Sequence, residues 1–175
     1  IELIGQSIIG PSLGKTAIEK SLFAGSVGLI AVIVWMILYY RLPGLVASIA
    51  LIIYTILFLA IMKMVPITLT LAGIAGFILS IGMAVDANVL IFERTKEEMK
   101  KGLSKMSAID KGFERAWTSI KDSNLTTILT SLILFYFTSS FVKGFALTLL
   151  FGVIISMFTA ITVTRTLLKI FQKNN

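Results

Sequence analysis

The chain has 175 residues, 57% of them hydrophobic and only 14% charged, with a formal net charge of +7. A soluble domain carries about 25% charged residues, so a water-soluble fold of this length is excluded in favour of one solvated by lipid. The basic excess then belongs to loops facing anionic headgroups rather than to nucleic acid. The absence of Cys and His removes disulfides, thiolate chemistry, His metal sites and a Ser-His-Asp triad. No phosphate-cradling G-x-x-x-x-G-K-[ST] motif is present, so neither a cofactor nor a metal is expected.

The chain begins at Ile1 rather than Met and carries no signal-peptide pattern, so it is expected to be part of a longer protein. Residues 1–21 read as an external-side remnant leading into the membrane, and 1–9 as the end of a strand. Gly10-Pro11-Ser12-Leu13-Gly14 reads as a turn. Thr16 and Glu19 fit a capping box that starts the first membrane helix. A membrane passage needs about 20 helical residues, and five apolar runs qualify: 22–40, 44–62, 69–92, 125–141 and 145–168. Together, 22–168 form the transmembrane domain and 169–175 a cytoplasmic tail. Arg41-Leu42-Pro43, Lys63 to Thr68 (with Pro66) and Val142-Lys143-Gly144 are short connections that force antiparallel neighbours, and Pro43 suits the first turn of a helix.

The long connection, 93–124, carries an apolar stripe: Met106, Ile109, Phe113, Ala116 or Trp117, and Ile120. Ser107 and Asp110 fit a capping-box start. The expectation is an amphipathic helix lying on the inner membrane surface with Trp117 at headgroup level; a contact surface for another protein is the alternative. Twelve Lys and Arg residues fall on the side of this loop and four, Lys15, Lys20, Lys63 and Lys143, on the other. The positive-inside rule then puts the N-terminal end outside and the C-terminus in the cytoplasm.

Asp86 is the residue that the membrane reading makes conspicuous. It lies about six residues, or roughly 9 Å, inside the cytoplasmic end of the third run. A carboxylate at that depth costs several kcal/mol unless paired, hydrated or protonated, and such residues usually carry protons or ions; a fixed interhelical hydrogen bond is the bland alternative. No basic residue of the chain lies at matching depth within a span, because Arg41 and Arg165 read as lipid-facing anchors. The partner of Asp86 is therefore expected on another chain or on further sequence. Gly82 is one turn away on nearly the same face and leaves room for water. Asn88 points roughly 200° around the helix and reads as an interhelical hydrogen-bonding residue. Glu93 and Arg94 snorkel at the exit. Thr126, Thr127 and Thr130 support a proton path through water near Asp86, or bond to their own helix backbone. Small residues repeat every four positions, Ala72-Gly76-Ser80 in the third run and Gly144-Thr148-Gly152-Ser156-Ala160-Thr164 in the fifth, which marks helix packing surfaces.

Gly82-Met83-Ala84-Val85-Asp86-Ala87-Asn88-Val89-Leu90-Ile91-Phe92-Glu93-Arg94 closely resembles the signature of the SecD protein-export membrane proteins. Asn124-Leu125-Thr126-Thr127, Lys143-Gly144-Phe145-Ala146 and Ser156-Met157-Phe158-Thr159-Ala160 resemble the same family in the same order, and the likeness covers essentially the whole chain. The resemblance implies an all-α membrane fold, the last five helices of a half-bundle of the resistance-nodulation-division (RND) and SecDF type, located in the bacterial inner membrane. It further implies a non-enzymatic subunit that, with SecF and the SecYEG channel, couples the proton-motive force to the late translocation of preproteins, with YajC and YidC as further partners. The family's membrane aspartate maps onto Asp86, and its partners in the proton path lie on SecF. The rival readings are another RND-type exporter and a non-transporting scaffold for the Sec complex.

Overall fold

The computed structural model describes residues 11–65, 70–138 and 140–173, with the backbone alone at 11–13, 140, 172 and 173. The expected strand at 1–9 and the loop around Pro66 therefore fall wholly or partly outside the described residues. All described secondary structure is helical: α1 Pro11–Tyr40, α2 Leu42–Met64, α3 Leu71–Lys100, α4 Lys105–Phe137, α5 Ser140–Phe158 and α6 Arg165–Lys173, with a π-helical turn, Thr159–Thr164, joining the last two.

Local chemistry sets most of the breaks. Helix α1 cannot run on into α2, because Pro43 in the first turn of α2 lacks an N–H and its ring would clash with the preceding turn. Arg41 takes up the reversal at φ 53°. The corner is tight enough that a Cβ on Gly44 would run into the Met36 carbonyl, so only glycine fits there. Thr70 caps α3 by accepting a hydrogen bond from the Gly73 N–H at 3.1 Å. Gly102, at φ +88°, ends the α3 side of the next turn in the left-handed region that glycine favours. Ser104 then caps α4 by accepting from the Ser107 N–H.

Several expectations are corrected here. Helix α1 already includes Pro11 to Gly14, and Thr16 lies inside it, so neither the turn nor the capping box forms there. Helix α4 starts at Lys105, capped by Ser104 rather than by Ser107. The connection after Phe92 holds no separate helix on a membrane surface. Helix α3 simply continues to Lys100, and α4 runs unbroken from Lys105 to Phe137. The apolar stripe is spent inside the protein: Ile109, Phe113, Ala116 and Ile120 are buried in a core shared with Ile91 and Phe92 of α3 and Leu168 of α6. A four-residue turn holds the two helices side by side, and burying the stripe against the neighbouring helix removes more apolar surface from water than lying half-immersed would. Met106 and Trp117 alone of the stripe stay exposed.

Among the described residues, four stretches are long and apolar enough to cross a membrane: Gly14–Tyr40, Leu42–Met64, Leu71–Lys100 and Phe141–Phe171. The run expected at 125–141 is the last part of α4, which ends at Phe137 with Thr138 extended beyond it. Helix α3 is the centre of the bundle and packs most extensively on α5 and α4. Helix α1 buries Met36 and leaves Phe23, Trp35 and Leu38 more than 60% exposed, as an outer helix in lipid would.

Candidate functional site

Helix α3 sorts its polar residues onto different faces. Asp86 and Gly82 are exposed on the flank of the bundle, whereas Ser80, Asn88, Thr95 and Glu98 point inward and are buried. The opposite fates of Asp86 and Asn88 follow from their two-residue separation along a helix. Asn88 accepts a hydrogen bond from Thr164 Oγ1 at 2.8 Å, and both side chains are buried. This bond ties α3 to the end of the π turn. A single π turn inserted in a long helix often marks a functional region, and here it sits against the turn of α3 that carries Asp86.

Asp86 lines a groove of about 200 Å³ between α3 and α4, with Met83, Ala87 and Leu90 on its own helix and Ile120, Ser123, Asn124 and Thr127 opposite. Gly82 has open space where a Cβ would stand. Among the described residues no ion pair involves Asp86. Thr127 reaches the groove; Thr126 and Thr130 are exposed outside its lining. The three hydroxyls donate to the carbonyls of Asp122, Ser123 and Thr126 on their own helix, which leaves their lone pairs able to accept from water. Asn124, buried at the groove floor, was not singled out as a site residue by sequence reasoning. Helix α4 runs antiparallel to α3 and brings Asn124 level with Asp86, a pairing that no local pattern announces.

The small-residue rows lie where α3 meets α5. A Cβ on Gly76 would come within 2.8 Å of the Phe145 carbonyl, and one on Gly152 would collide with Ser80 and reach within 3.1 Å of the Tyr54 hydroxyl. Ser80 donates to the Phe77 carbonyl at 2.7 Å, so the 2.5 Å bond between Tyr54 and Ser80 has Tyr54 as its donor. Ser156 is buried and donates to the Val153 carbonyl.

Charged contacts outside the apolar runs were not anticipated. Arg115 of α4 pairs with Glu98 at 2.5 Å and Glu97 at 3.1 Å of α3. Glu98 also accepts from Lys101 at 2.7 Å, and Glu97 from Arg94 at 3.0 Å. Arg165, which its position near a helix end suggested as a lipid-facing anchor, has partners within the chain. It donates to Asp110 at 2.9 Å and lies over the Phe113 ring at 5.7 Å. Lys169 joins the same carboxylate at 2.6 Å. Tertiary pairing wins because the Asp110 carboxylate on α4 comes within reach. Among the described residues no group of three or more His, Cys, Asp or Glu could hold a metal ion.

The geometry is that of a polytopic membrane bundle with one carboxylate placed on an open flank between two helices. Comparison with known proteins gives the lineage. Residues 1–174 match the family described as protein export membrane protein SecD/SecF, C-terminal, and the chain belongs to that family. It is 55% identical over 174 residues to the protein translocase subunit SecD of Thermobaculum terrenum, covering 97% of this chain and 34% of that one. It is 56% identical over 168 residues to the protein translocase subunit SecD of Synechocystis, covering 96% and 36%. The crystal structure of SecDF, a translocon-associated membrane protein from Thermus thermophilus, superposes with a TM-score of 0.92 at 37% identity, covering 95% of this chain and 23% of that one. The chain thus spans about a third of the length of the curated relatives it matches.

Proposed function

We propose that this chain is the membrane motor part of a SecD-type subunit, in which proton exchange at Asp86 drives the late export of preproteins. The observation that carries the reading is the position of Asp86. It is a carboxylate within an apolar helix, turned to the open flank of the bundle, beside Asn124 and Thr127 and with no cation among the described residues that line its groove. Such a group needs either a proton or a partner from outside the chain. Protonation removes its charge and changes which surface packs best against that flank. One charge crossing 100 mV delivers about 2.3 kcal/mol, enough to shift a two-state packing equilibrium roughly fifty-fold.

In this reading a SecF-type half-bundle covers the Asp86 groove and supplies the missing charge, and a SecYEG-type channel receives the stroke. The apolar end of α4 makes the fifth passage. The twelve basic residues, and with them the turn between α3 and α4, face the cytoplasm, and the N-terminal end faces outward.

The test is export of a secreted reporter into vesicles under an imposed proton gradient, comparing the complete protein with its Asp86→Asn variant. Loss of gradient-stimulated export with the complex still assembled supports the reading. Unchanged export would move the scaffold reading ahead. Gradient-driven efflux of a small amphiphile, with reporter export unaffected, would favour another RND-type exporter.

A further inference from the structure

Helix α4 has a second groove on its other flank. It measures about 540 Å³ and shares only Ile120 with the groove of Asp86. Its size falls in the ~300–1,000 Å³ range of small-molecule sites. The inner wall is apolar: Ile91 of α3, Phe113, Trp117 and Ile120 of α4, and Ile161 of the π turn. The outer rim is charged, with Asp110, Lys111 and Glu114 on α4 and Arg165 at the start of α6. The change from apolar to charged falls where the apolar run of α3 ends, since Ile91 and Phe92 are followed by Glu93 and Arg94. That is the level of a membrane's headgroups, and Trp117, 36% exposed, has the amphipathic ring found there.

The charge of the rim selects the occupant. Asp110 is already held by both Arg165 and Lys169, while Lys111 and Glu114 take part in no ion pair among the described residues. The rim itself carries two cations and two carboxylates; Lys169, which reaches Asp110 from beside the groove, adds a third cation, an excess that one phosphate would balance. Arg165 spends a single N–H on Asp110, and a guanidinium has five donors in a fork suited to phosphate oxygens.

We propose that this groove binds one anionic glycerophospholipid, its phosphate between Arg165 and Lys111 and the start of an acyl chain along Ile91, Phe113 and Ile161. The lipid bridges α4 to the π turn, and therefore touches the segment that holds Asn88 through Thr164.

The test uses membranes bearing the complete protein, fused with phosphatidylcholine vesicles that contain a photo-crosslinkable phosphatidylglycerol. Adducts are expected on peptides covering 110–120 and 161–165, competed by unlabelled phosphatidylglycerol and not by phosphatidylcholine. Lys111→Gln, at an exposed position, lowers labelling about five-fold, the effect of one basic residue near an anionic surface. Ile161→Trp fills the groove and abolishes it. Equal competition by phosphatidylcholine overturns the proposal, as does labelling that Lys111→Gln leaves unchanged, or the absence of adducts on 110–120 and 161–165.

Discussion

Substituting Gly152 by alanine tests the packing that positions the Asp86 helix. Carbon atoms rest at about 3.5–4.0 Å, and the new methyl would stand far inside that distance from Ser80 Cβ and Oγ, with the Tyr54 hydroxyl at 3.1 Å. The obstructing atoms begin at a Cβ, which no rotamer moves, so α3 and α5 must separate by roughly 1 Å. Overpacking of this kind costs about 1–3 kcal/mol. Ser80→Gly removes the obstruction, but it deprives the buried Tyr54 hydroxyl of its acceptor, costing about 1–3 kcal/mol, and adds about 1 kcal/mol for glycine within a helix. The double variant lets the alanine methyl fill the space that Ser80 vacates. It should therefore be less destabilised than the sum of the two by at least about 1 kcal/mol, a coupling typical of residues in contact. Reversible unfolding in mixed micelles, followed by the fluorescence of Trp35 and Trp117, measures all four proteins. Additivity within about 0.5 kcal/mol, or a Gly152→Ala variant as stable as the parent, would refute the close approach of α3 and α5.

Two further outcomes are expected at the charged end of the bundle. The hydrogen bonds from Arg165, and then Lys169, hold the Asp110 carboxyl below its usual range, so its stabilising effect is complete above about pH 4, the unfolded value, and is lost as the pH falls through the lower folded value. Other carboxylate pairs, such as those of Glu97 and Glu98 with Arg115, contribute to the parent and the variant alike. The readout is accordingly the difference between parent and Asp110→Asn: about 1 kcal/mol or less for these half-exposed pairs, constant near neutrality and vanishing in acid. A difference that grows in acid would contradict the pairing. Gly112→Ala would place a methyl 2.7 Å from both the backbone N and Cα of Thr95, so the α3–α4 hairpin should open, with amide exchange in 95–115 rising markedly while that of α2 is unchanged. Unaltered exchange in the hairpin would mean that the two backbones are not in contact there.

The membrane character of the chain and its helical class were legible in the sequence, because each depends on composition or on the 3.6-residue period alone. The opposite facing of Asp86 and Asn88 needed only the angle per residue. Small residues at four-residue spacing announced that helices approach closely, but not that Gly152 meets Ser80 or that Gly76 meets Phe145. Partner choice between helices is a non-local quantity. For the same reason the amphipathic stripe of 106–120 was readable as apolar, yet its destination was not. Lipid and a neighbouring helix satisfy the same pattern, and only the tight turn at 101–104, which brings α4 back along α3, decides for the core. Tertiary structure alone placed Arg165 on Asp110, Arg115 on Glu98 and Asn124 beside Asp86, since each pair joins residues that are far apart in the chain and level in the bundle. The π turn at Thr159–Thr164 belongs with them. Its sequence is compatible with an ordinary α-helix, and what accompanies the extra residue in the turn is the contact of Thr164 with Asn88 on the neighbouring helix.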